Sequence, residues 1–565
     1  MVERSPHTGK VVGSIPTSPI LKGNGVVALK LKALYTHNNS STKTLLCVSI
    51  FLIIFDNFTF FKKTLEAFPP TGINIFFLLS LTLILICIVN ILLNLMCVRY
   101  ATKSILIAIL ILSSVTAYFT DSYGTVFDRS MIQNIIRTDI NEVRDLFTFK
   151  LLLYFLFFGI LPSIYIFKSH INYKKSLKFG LVVALRNILL SLLTFILVGL
   201  PFAKYYTSFL REHKPLRSYT NPLNFIYSGG KSTYIYFKKD KPKELRPLAR
   251  DAKLIQPEIR RLVIYIVGET ARSDHFSLNG YSRETNPLLK NENVVSFSNM
   301  YSCGTSTATS LPCMFSAFGR SGYSIEKAET TENLLDALKH TGKINILWRD
   351  NNSDSKGVAL RVPYEDYKSP QNNKICDTEC RDEGMLIGLQ DYINQHTNES
   401  IFIILHQLGN HGPAYYKRYP ANFEKFKPHC QSNLLEKCSN QEIINAYDNA
   451  LLYTDYFLFK VIELLRENSI NFRTAMLYVS DHGESLGENG IYLHGLPYFM
   501  APEEQKKVGA IMWLDDGMRE DFNFELLKRH KNKLYSHDNL FHSILGLMKI
   551  ETSVYSKKLD IFQDE

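Results

Sequence analysis

The segment Ser480-Asp-His-Gly-Glu-Ser-Leu-Gly-Glu-Asn-Gly490 follows Thr474-Ala-Met-Leu-Tyr-Val479, a short apolar run rich in β-forming residues. Such a run reads as a buried parallel strand. Asp481 and His482 therefore fall on the turn leaving its carboxyl end, where open α/β sheets place their chemistry. An adjacent carboxylate and imidazole suit a hard-to-borderline dication such as zinc. Alone, the pair would more often be an Asp helix cap beside a surface histidine. Three other segments shift that balance.

Arg261-Leu-Val-Ile-Tyr-Ile-Val-Gly268 is a second buried-strand pattern and ends in Glu269-Thr-Ala-Arg-Ser-Asp-His275, which puts the Glu269 carboxylate at the same sheet edge as Asp481. Cys303-Gly-Thr-Ser-Thr-Ala-Thr-Ser-Leu-Pro-Cys313 is dense in hydroxyls and free of acidic residues. Ile401-Phe-Ile-Ile-Leu405 leads into His406-Gln-Leu-Gly-Asn-His411-Gly-Pro413. Carboxylates, histidines and a hydroxyl at three or four strand ends make a metal site with an attacking alkoxide. From Ala308 the chain can open a helix stopped or kinked at Pro312, and a helix N-terminus favours a bound phosphate. Spacing alone leaves Thr305, Ser306, Thr307, Thr309 and Ser310 as equal candidates for the hydroxyl, each with helix capping as its alternative role.

Gly268-Glu-Thr-Ala-Arg-Ser-Asp-His275, Cys303-Gly-Thr-Ser-Thr-Ala308, Trp348-Arg-Asp-Asn-Asn-Ser-Asp-Ser-Lys-Gly357, Asn410-His-Gly-Pro413 and Ser480-Asp-His-Gly-Glu-Ser-Leu-Gly487 closely resemble the motifs of the phosphoethanolamine–lipid A transferases. That family includes the mobile colistin-resistance enzymes and belongs to the alkaline phosphatase/sulfatase superfamily. The resemblance implies Thr307, the second Thr of Cys-Gly-Thr-Ser-Thr, as nucleophile. It implies one tightly bound Zn2+ held by Glu269, Asp481, His482 and the Thr307 hydroxyl. His411 and His494, with Glu484 nearby, resemble phosphate contacts or the ligands of a second zinc. Asn352, Ser353 and Lys356 come from a polar loop in which Lys356 could hold phosphate as a point charge; a solvated lysine is the other reading.

The implied reaction moves phosphoethanolamine from phosphatidylethanolamine to a lipid A phosphate through a threonine ester, releasing diacylglycerol. Masking anionic charge would lower susceptibility to polymyxin-type cationic peptides. A core sugar, a periplasmic glucan or a glycerol-phosphate polymer is the alternative acceptor. Sulfatase activity is not expected, because Ser310-Leu-Pro-Cys-Met314 has Met where the sulfatase motif needs Arg.

These segments lie beyond residue 260 of a 565-residue chain, and residues 1–205 differ sharply from them. Five apolar runs, Leu45–Phe61, Ile73–Val98, Ser104–Thr120, Leu151–Phe167 and Gly180–Ala203, can each cross a hydrocarbon core of about 30 Å. The first is no cleavable signal, since a polar tail precedes it and no small-residue cleavage site follows. Segments 1–44, 99–103 and 168–178 carry twelve Lys/Arg against Glu3, a balance equal to the +11 of the whole chain. The basic charge is thus a positive-inside signature and lends no support to nucleic-acid binding. An odd number of spans puts the C-terminal domain outside the cytoplasm, in the periplasm of a bacterial-type inner membrane.

Cysteine usage agrees. Cys47, Cys87 and Cys97 fall in the apolar runs, and Cys303/Cys313, Cys376/Cys380 and Cys430/Cys438 are sequence-local pairs. Near-neighbour disulfides match the family pattern and an oxidising compartment. The competing assignment is a zinc site of Cys376, Cys380, Cys430 and Cys438.

The expected layout is a cytoplasmic tail over 1–44, a five-helix transmembrane domain over 45–203 with a periplasmic loop at 121–150, an aromatic-rich membrane-surface connector over 204–259, and a periplasmic catalytic domain over 260–565. The last is expected to be α/β, alkaline-phosphatase-like, with a mostly parallel sheet and helices on both faces. The patterns predict helices at Glu332–His340 and Glu442–Glu467 and strands at Asn345–Trp348, 401–405, 474–479 and 509–514. In the loop, Asn134, Thr138 and Glu142 recur every fourth residue, one polar stripe on a helix. The resemblance places that stripe near the substrate at the membrane face. A lipid donor, a lipid acceptor, the membrane and a monomeric state complete the expectation.

Overall fold

A computed structural model describes residues 38–97, 99–137, 140–172, 177–237 and 244–563. Most of the predicted 1–44 tail lies outside them, as do Thr138 and the Glu142 side chain.

Among the described residues, four helices are long and apolar enough to cross a membrane: Ile73–Met96, Thr102–Tyr123, Phe149–Lys168 and Lys178–Arg211. The first predicted span is a bent pair, Ser41–Phe55 and Phe58–Ala67, meeting at 61°. Asp56 and Asn57 break the apolar run there, and both are buried. Asp56 accepts the Ser113 hydroxyl at 2.6 Å, and Asn57 Nδ2 donates to Leu52 O and Asn221 O at 2.9 and 2.7 Å. Counted as one span, the pair brings the total to five. The connector is largely helical, with Ala203–Arg211 and Leu223–Phe237, and its Tyr205 and Tyr206 pack on Phe77 of the second span.

Seven strands form the central sheet: β1 Arg261–Gly268, β2 Val294–Ser296, β3 Ile344–Asp350, β4 Tyr364–Asp366, β5 Ser400–His406, β6 Arg473–Ser480 and β7 Ala510–Leu514. Their spatial order is β2-β7-β6-β1-β5-β3-β4. All neighbours pair in parallel except that β7 runs antiparallel to β6 and β2. Val263, Tyr265 and Val267 of β1 face one core, and Leu262, Ile264 and Ile266 face another. That is the period of a strand covered on both faces. The long helix Asn440–Asn468, opened by a Ser439/Glu442 capping box, covers one face, and Leu334–His340 with Leu540–Leu547 covers the other.

The helix predicted from Glu332 begins at Leu334, because Asn333 caps it with its side chain. Lys253–Leu254 pairs with Ile550–Glu551 and Arg246 N–H donates to Thr330 O, so the chain joins this domain before Arg260. Cys303–Cys313, Cys376–Cys380 and Cys430–Cys438 are disulfides, which removes the four-cysteine zinc alternative.

Candidate active site and metal centre

β1 and β6 lie in register with Gly268 opposite Ser480, so Glu269 and Asp481 leave the sheet side by side. Asp481 N–H donates to Gly268 O at 2.9 Å. The crowding admits no side chain at Gly268, where a Cβ would lie 2.4 Å from the Tyr478 hydroxyl, nor at Gly483, where it would lie 2.0 Å from Glu504 O.

Glu269, Asp481 and His482 are fully buried, and one ligand-type atom of each lies within 4.8 Å of the others. His482 Nδ1 is 2.9 Å from Gly483 O, which turns Nε2 toward Glu269 Oε1 at 3.3 Å and Asp481 Oδ2 at 3.5 Å. Thr307 is the first residue of the helix Thr307–Met314, and its hydroxyl is 3.1 Å from Glu269 Oε2 and 3.3 Å from His482 Nε2. The neighbouring hydroxyls turn elsewhere: Thr305 donates to Leu496 O, Ser310 to Asp481 O, and Ser306 to Thr309. Of the five that spacing left equal, Thr307 is the one that meets both the carboxylate and the imidazole.

Two buried carboxylates this close demand a cation. Burial, with the neighbouring charge of Glu269, pushes Asp481 up to about 6. Burial also raises Glu269, but His482, His411 and His494 outweigh it and hold that carboxyl below the usual range. Burial opposes charge on His482, yet Asp481 and Glu269 prevail and push the imidazole up to about 10. Glu269 Oε1 and Asp481 Oδ2 are buried and make no hydrogen bond. Two such oxygens facing one imidazole nitrogen are the donor set of a dication site, and these residues fit a metal ion.

Several predicted residues gather around this centre. Asn352 Nδ2 donates to Glu269 Oε2 at 2.8 Å and to Gln407 O at 2.7 Å, orienting the carboxylate. His494 Nδ1 is 3.2 Å from Glu484 Oε2, and the His494 ring lies 4.3 Å from that of His482 and 5.3 Å from that of His411. Ser353 and Lys356 lie farther out. Ser353 O accepts Lys368 Nζ at 2.8 Å, while the buried Lys356 Nζ sits 3.5 Å from Asp354. Lys356 lines a cavity of about 370 Å³ with Pro312 of the nucleophile helix and Ser316 just beyond its end.

Two histidines with no role assigned from sequence brace the site. His406, at the end of β5, pairs through Nδ1 with Asp350 at 2.9 Å. Burial opposes its charge, but Asp350, helped by Glu269 and Asp481, raises its pKa. His537 Nδ1 accepts Cys303 N–H at 3.1 Å and its Nε2 donates to Ser480 O at 3.1 Å, tying the nucleophile segment to β6. Burial pushes His537 down to about 3. His406 closed a predicted strand, so its place was visible; no pattern around His537 marks it.

Two cavities meet at His411. One, of about 330 Å³, runs from Gly412 and His494 to Phe119, Asn134 and Leu146 on the membrane side. The other, of about 430 Å³, is polar and includes Asn352, Ser353, Lys368 and Arg418, with Arg144 from the loop between the third and fourth spans. Asn134 of the predicted stripe thus reaches the apolar cavity.

The sheet, its crowded carboxyl edge and the threonine at a helix start define an alkaline-phosphatase-like domain on a membrane anchor. The Sulfatase family model matches residues 261–550, and that of phosphoethanolamine transferase EptA/EptB matches residues 85–236. The chain is 47% identical to the phosphatidylethanolamine transferase Mcr-1 of Escherichia coli over 481 residues, 83% of this chain and 88% of that protein. It is 40% identical to the phosphoethanolamine transferase EptA of Escherichia coli K12 over 531 residues, 92% and 96% of the two chains. The integral membrane lipooligosaccharide phosphoethanolamine transferase A (EptA) of Neisseria meningitidis superimposes with a TM-score of 0.88 at 34% identity, covering 93% of this chain and 98% of that one. The chain belongs to the phosphoethanolamine transferase family, within the alkaline phosphatase superfamily, as an integral membrane protein with a C-terminal soluble domain.

Proposed function

We propose that this protein takes phosphoethanolamine from phosphatidylethanolamine and transfers it to a phosphate of lipid A on the periplasmic side of the inner membrane. The observation that carries the reading is the Thr307 hydroxyl, 3.1 Å from Glu269 and 3.3 Å from His482 at the start of a helix. Thr307 Oγ attacks the donor phosphorus. The P–Oγ bond forms, the bond from phosphorus to the diacylglycerol oxygen breaks, and the hydroxyl proton leaves with diacylglycerol. An acceptor phosphate oxygen then attacks the same phosphorus, and Thr307 recovers its proton. The helix N-terminus stabilises phosphoryl charge throughout. His494, paired with Glu484 and beside His482, and His411, whose ring lies against that of His494, bind phosphoryl oxygens and carry the proton.

Glu269, Asp481, His482 and Thr307 would hold a zinc ion, which when bound lowers the pKa of the threonine hydroxyl and polarises the phosphoryl group. His411 and His494 are the residues for a second. The added aminoethyl group masks anionic charge, so polymyxin-type peptides bind the surface less well. Mass spectrometry of lipid A from bacteria with and without the protein tests the reading. Added phosphoethanolamine is expected with the wild-type chain alone; its absence, or its presence with Thr307→Ala, would overturn it.

A further inference from the structure

We propose that the polar cavity on the far side of His411 is the acceptor's site, shaped for a phosphorylated sugar, and is distinct from the apolar cavity that takes the donor. This rests on the two-substrate reaction proposed above and adds where its second substrate sits.

Both cavities reach His411, so both open on the same reacting centre. The polar one also contains Asn352, whose amide holds Glu269, and the adjoining Ser353. Phe119, Phe127, Leu146 and Leu151 line the apolar one, a wall for an acyl chain with little to offer a sugar. A volume of about 430 Å³ is ordinary for a small polar ligand.

Charge decides which ligand. Each carboxylate lining the polar cavity is already paired: Asp145 with Lys417 at 2.5 Å and Arg418 at 3.1 Å, Glu379 with Arg418, and Asp377 with Arg381. Among the described residues lining it, an ammonium headgroup would find no uncommitted carboxylate. A phosphate would find Lys368, partly exposed and 3.3 Å from the half-exposed Asp366, and the exposed Arg144 at the rim. Lys368 also donates to Ser353 O at 2.8 Å, which anchors it one residue from the Asn352–Glu269 contact. Ser353 and Thr378 supply hydroxyls suited to sugar oxygens, while Asn351 and Asn352 line the cavity with their amide hydrogens committed to Cys380 O, Asp382, Glu269 and Gln407 O.

Membrane access follows from the same wall. Arg144 and Asp145 belong to the loop helix Ile140–Leu146, so a sugar phosphate can enter while its chains stay in the bilayer. The buried Arg418 donates through Nε to His411 O at 2.6 Å and through its guanidinium to Asp145, fixing the wall between the cavities. In the acceptor step an oxygen of the sugar phosphate forms the new P–O–P bond. The P–Oγ bond breaks, and the proton given up by that phosphate passes to Thr307.

The test uses the full-length protein in liposomes with fluorescent phosphatidylethanolamine and lipid A. It measures diacylglycerol release, the phosphoethanolamine adduct on Thr307 by intact mass, and modified lipid A. In the Arg144→Ala/Lys368→Ala double variant the ratio of transfer to donor cleavage should fall at least tenfold. The KM for lipid A should rise and the adduct should accumulate, with Lys368→Arg restoring transfer. Leu146→Trp, in the other cavity, should lower cleavage itself. An unchanged ratio in the double variant, or transfer and cleavage falling in proportion, would overturn the site. Wild-type protein that forms no adduct from the donor would overturn the reaction, and the acceptor site with it.

Discussion

Buried carboxylates stand in two regions of this molecule and serve opposite ends. In the membrane domain Ser113 donates to Asp56 at 2.6 Å, and Thr59 and Tyr154 donate to Asp121 at 2.7 and 3.2 Å. Asn221 of the connector locks into that cluster through Asn57, Ser113 and Thr116. In the sheet domain Glu269 Oε1 and Asp481 Oδ2 have no such donors. Asp56 Oδ1 also lacks one, so a single orphaned oxygen does not make a site. Convergence separates the two centres. Around His482, two orphaned oxygens, an imidazole nitrogen and a hydroxyl face one another; around Asp56, amides and hydroxyls are spent on one another. The bundle's polar groups join helices where lipid offers no partner, and the sheet's hold charge for chemistry.

The largest effect expected on this contrast is at Thr307. Thr307→Ala should remove lipid A modification by at least about 10³-fold while changing stability by less than about 1 kcal/mol. Activity kept in Thr307→Ala but lost in Thr305→Ala would relocate the nucleophile. Next is Glu269→Gln, which removes one anionic donor and relieves repulsion with Asp481. Metal analysis of purified protein should show zinc lost, and thermal melting of metal-free protein should show stability lowered, because His482, His411 and His494 lose the anionic partner whose carboxyl they hold below the usual range. Zinc retained at wild-type level would break the assignment. In the bundle, Asn221→Ala should cost about 2 kcal/mol by removing the amide that donates to Asp56 O and Ser113 O and the oxygen that accepts the Thr116 hydroxyl, with zinc content untouched. A melt in detergent that did not move would show the polar joint to be dispensable.

How far the sequence reached differs between the two regions for a physical reason. β1, β5 and β6 are continuous apolar runs closed by a charged or polar residue, so Glu269, His406 and Asp481 could be put on one edge before any coordinates. β2 and β4 are three residues each, too short to show a period, and went unseen. Thr307 was picked by resemblance, since the hydroxyls beside it differ in where they point and not in spacing. The bend at Asp56 was missed because the flanking apolar residues dominate a hydropathy window. Arg418 acts through Glu379 and Asp145, partners far along the chain, and no local pattern carries that.

The smallest expected effect concerns His537, and it sharpens the contrast because this polar group is buried, satisfied and uncharged. Its ring is 1% exposed, Nδ1 accepts Cys303 N–H, and Nε2 donates to Ser480 O, so a second proton would displace the Cys303 contact. Burial holds its pKa at about 3, below the 6.5 of a free imidazole. A folded pKa below the unfolded one means this contribution to stability is full above pH 6.5. It is lost as pH falls from there toward 3, because the unfolded chain takes up the proton first. The slope approaches 1.4 kcal/mol per pH unit, so the group should cost about 1–2 kcal/mol between pH 6.5 and 5. His537→Gln should start less stable at pH 8 and then fall less steeply across that interval. Urea midpoints of the two proteins at pH 8, 6.5 and 5 make the comparison, and parallel curves would refute a neutral brace. His537 holds Ser480 directly beside Asp481, so in wild type the same acid interval should loosen the segment carrying Thr307. Faster amide exchange over 303–314 would record it.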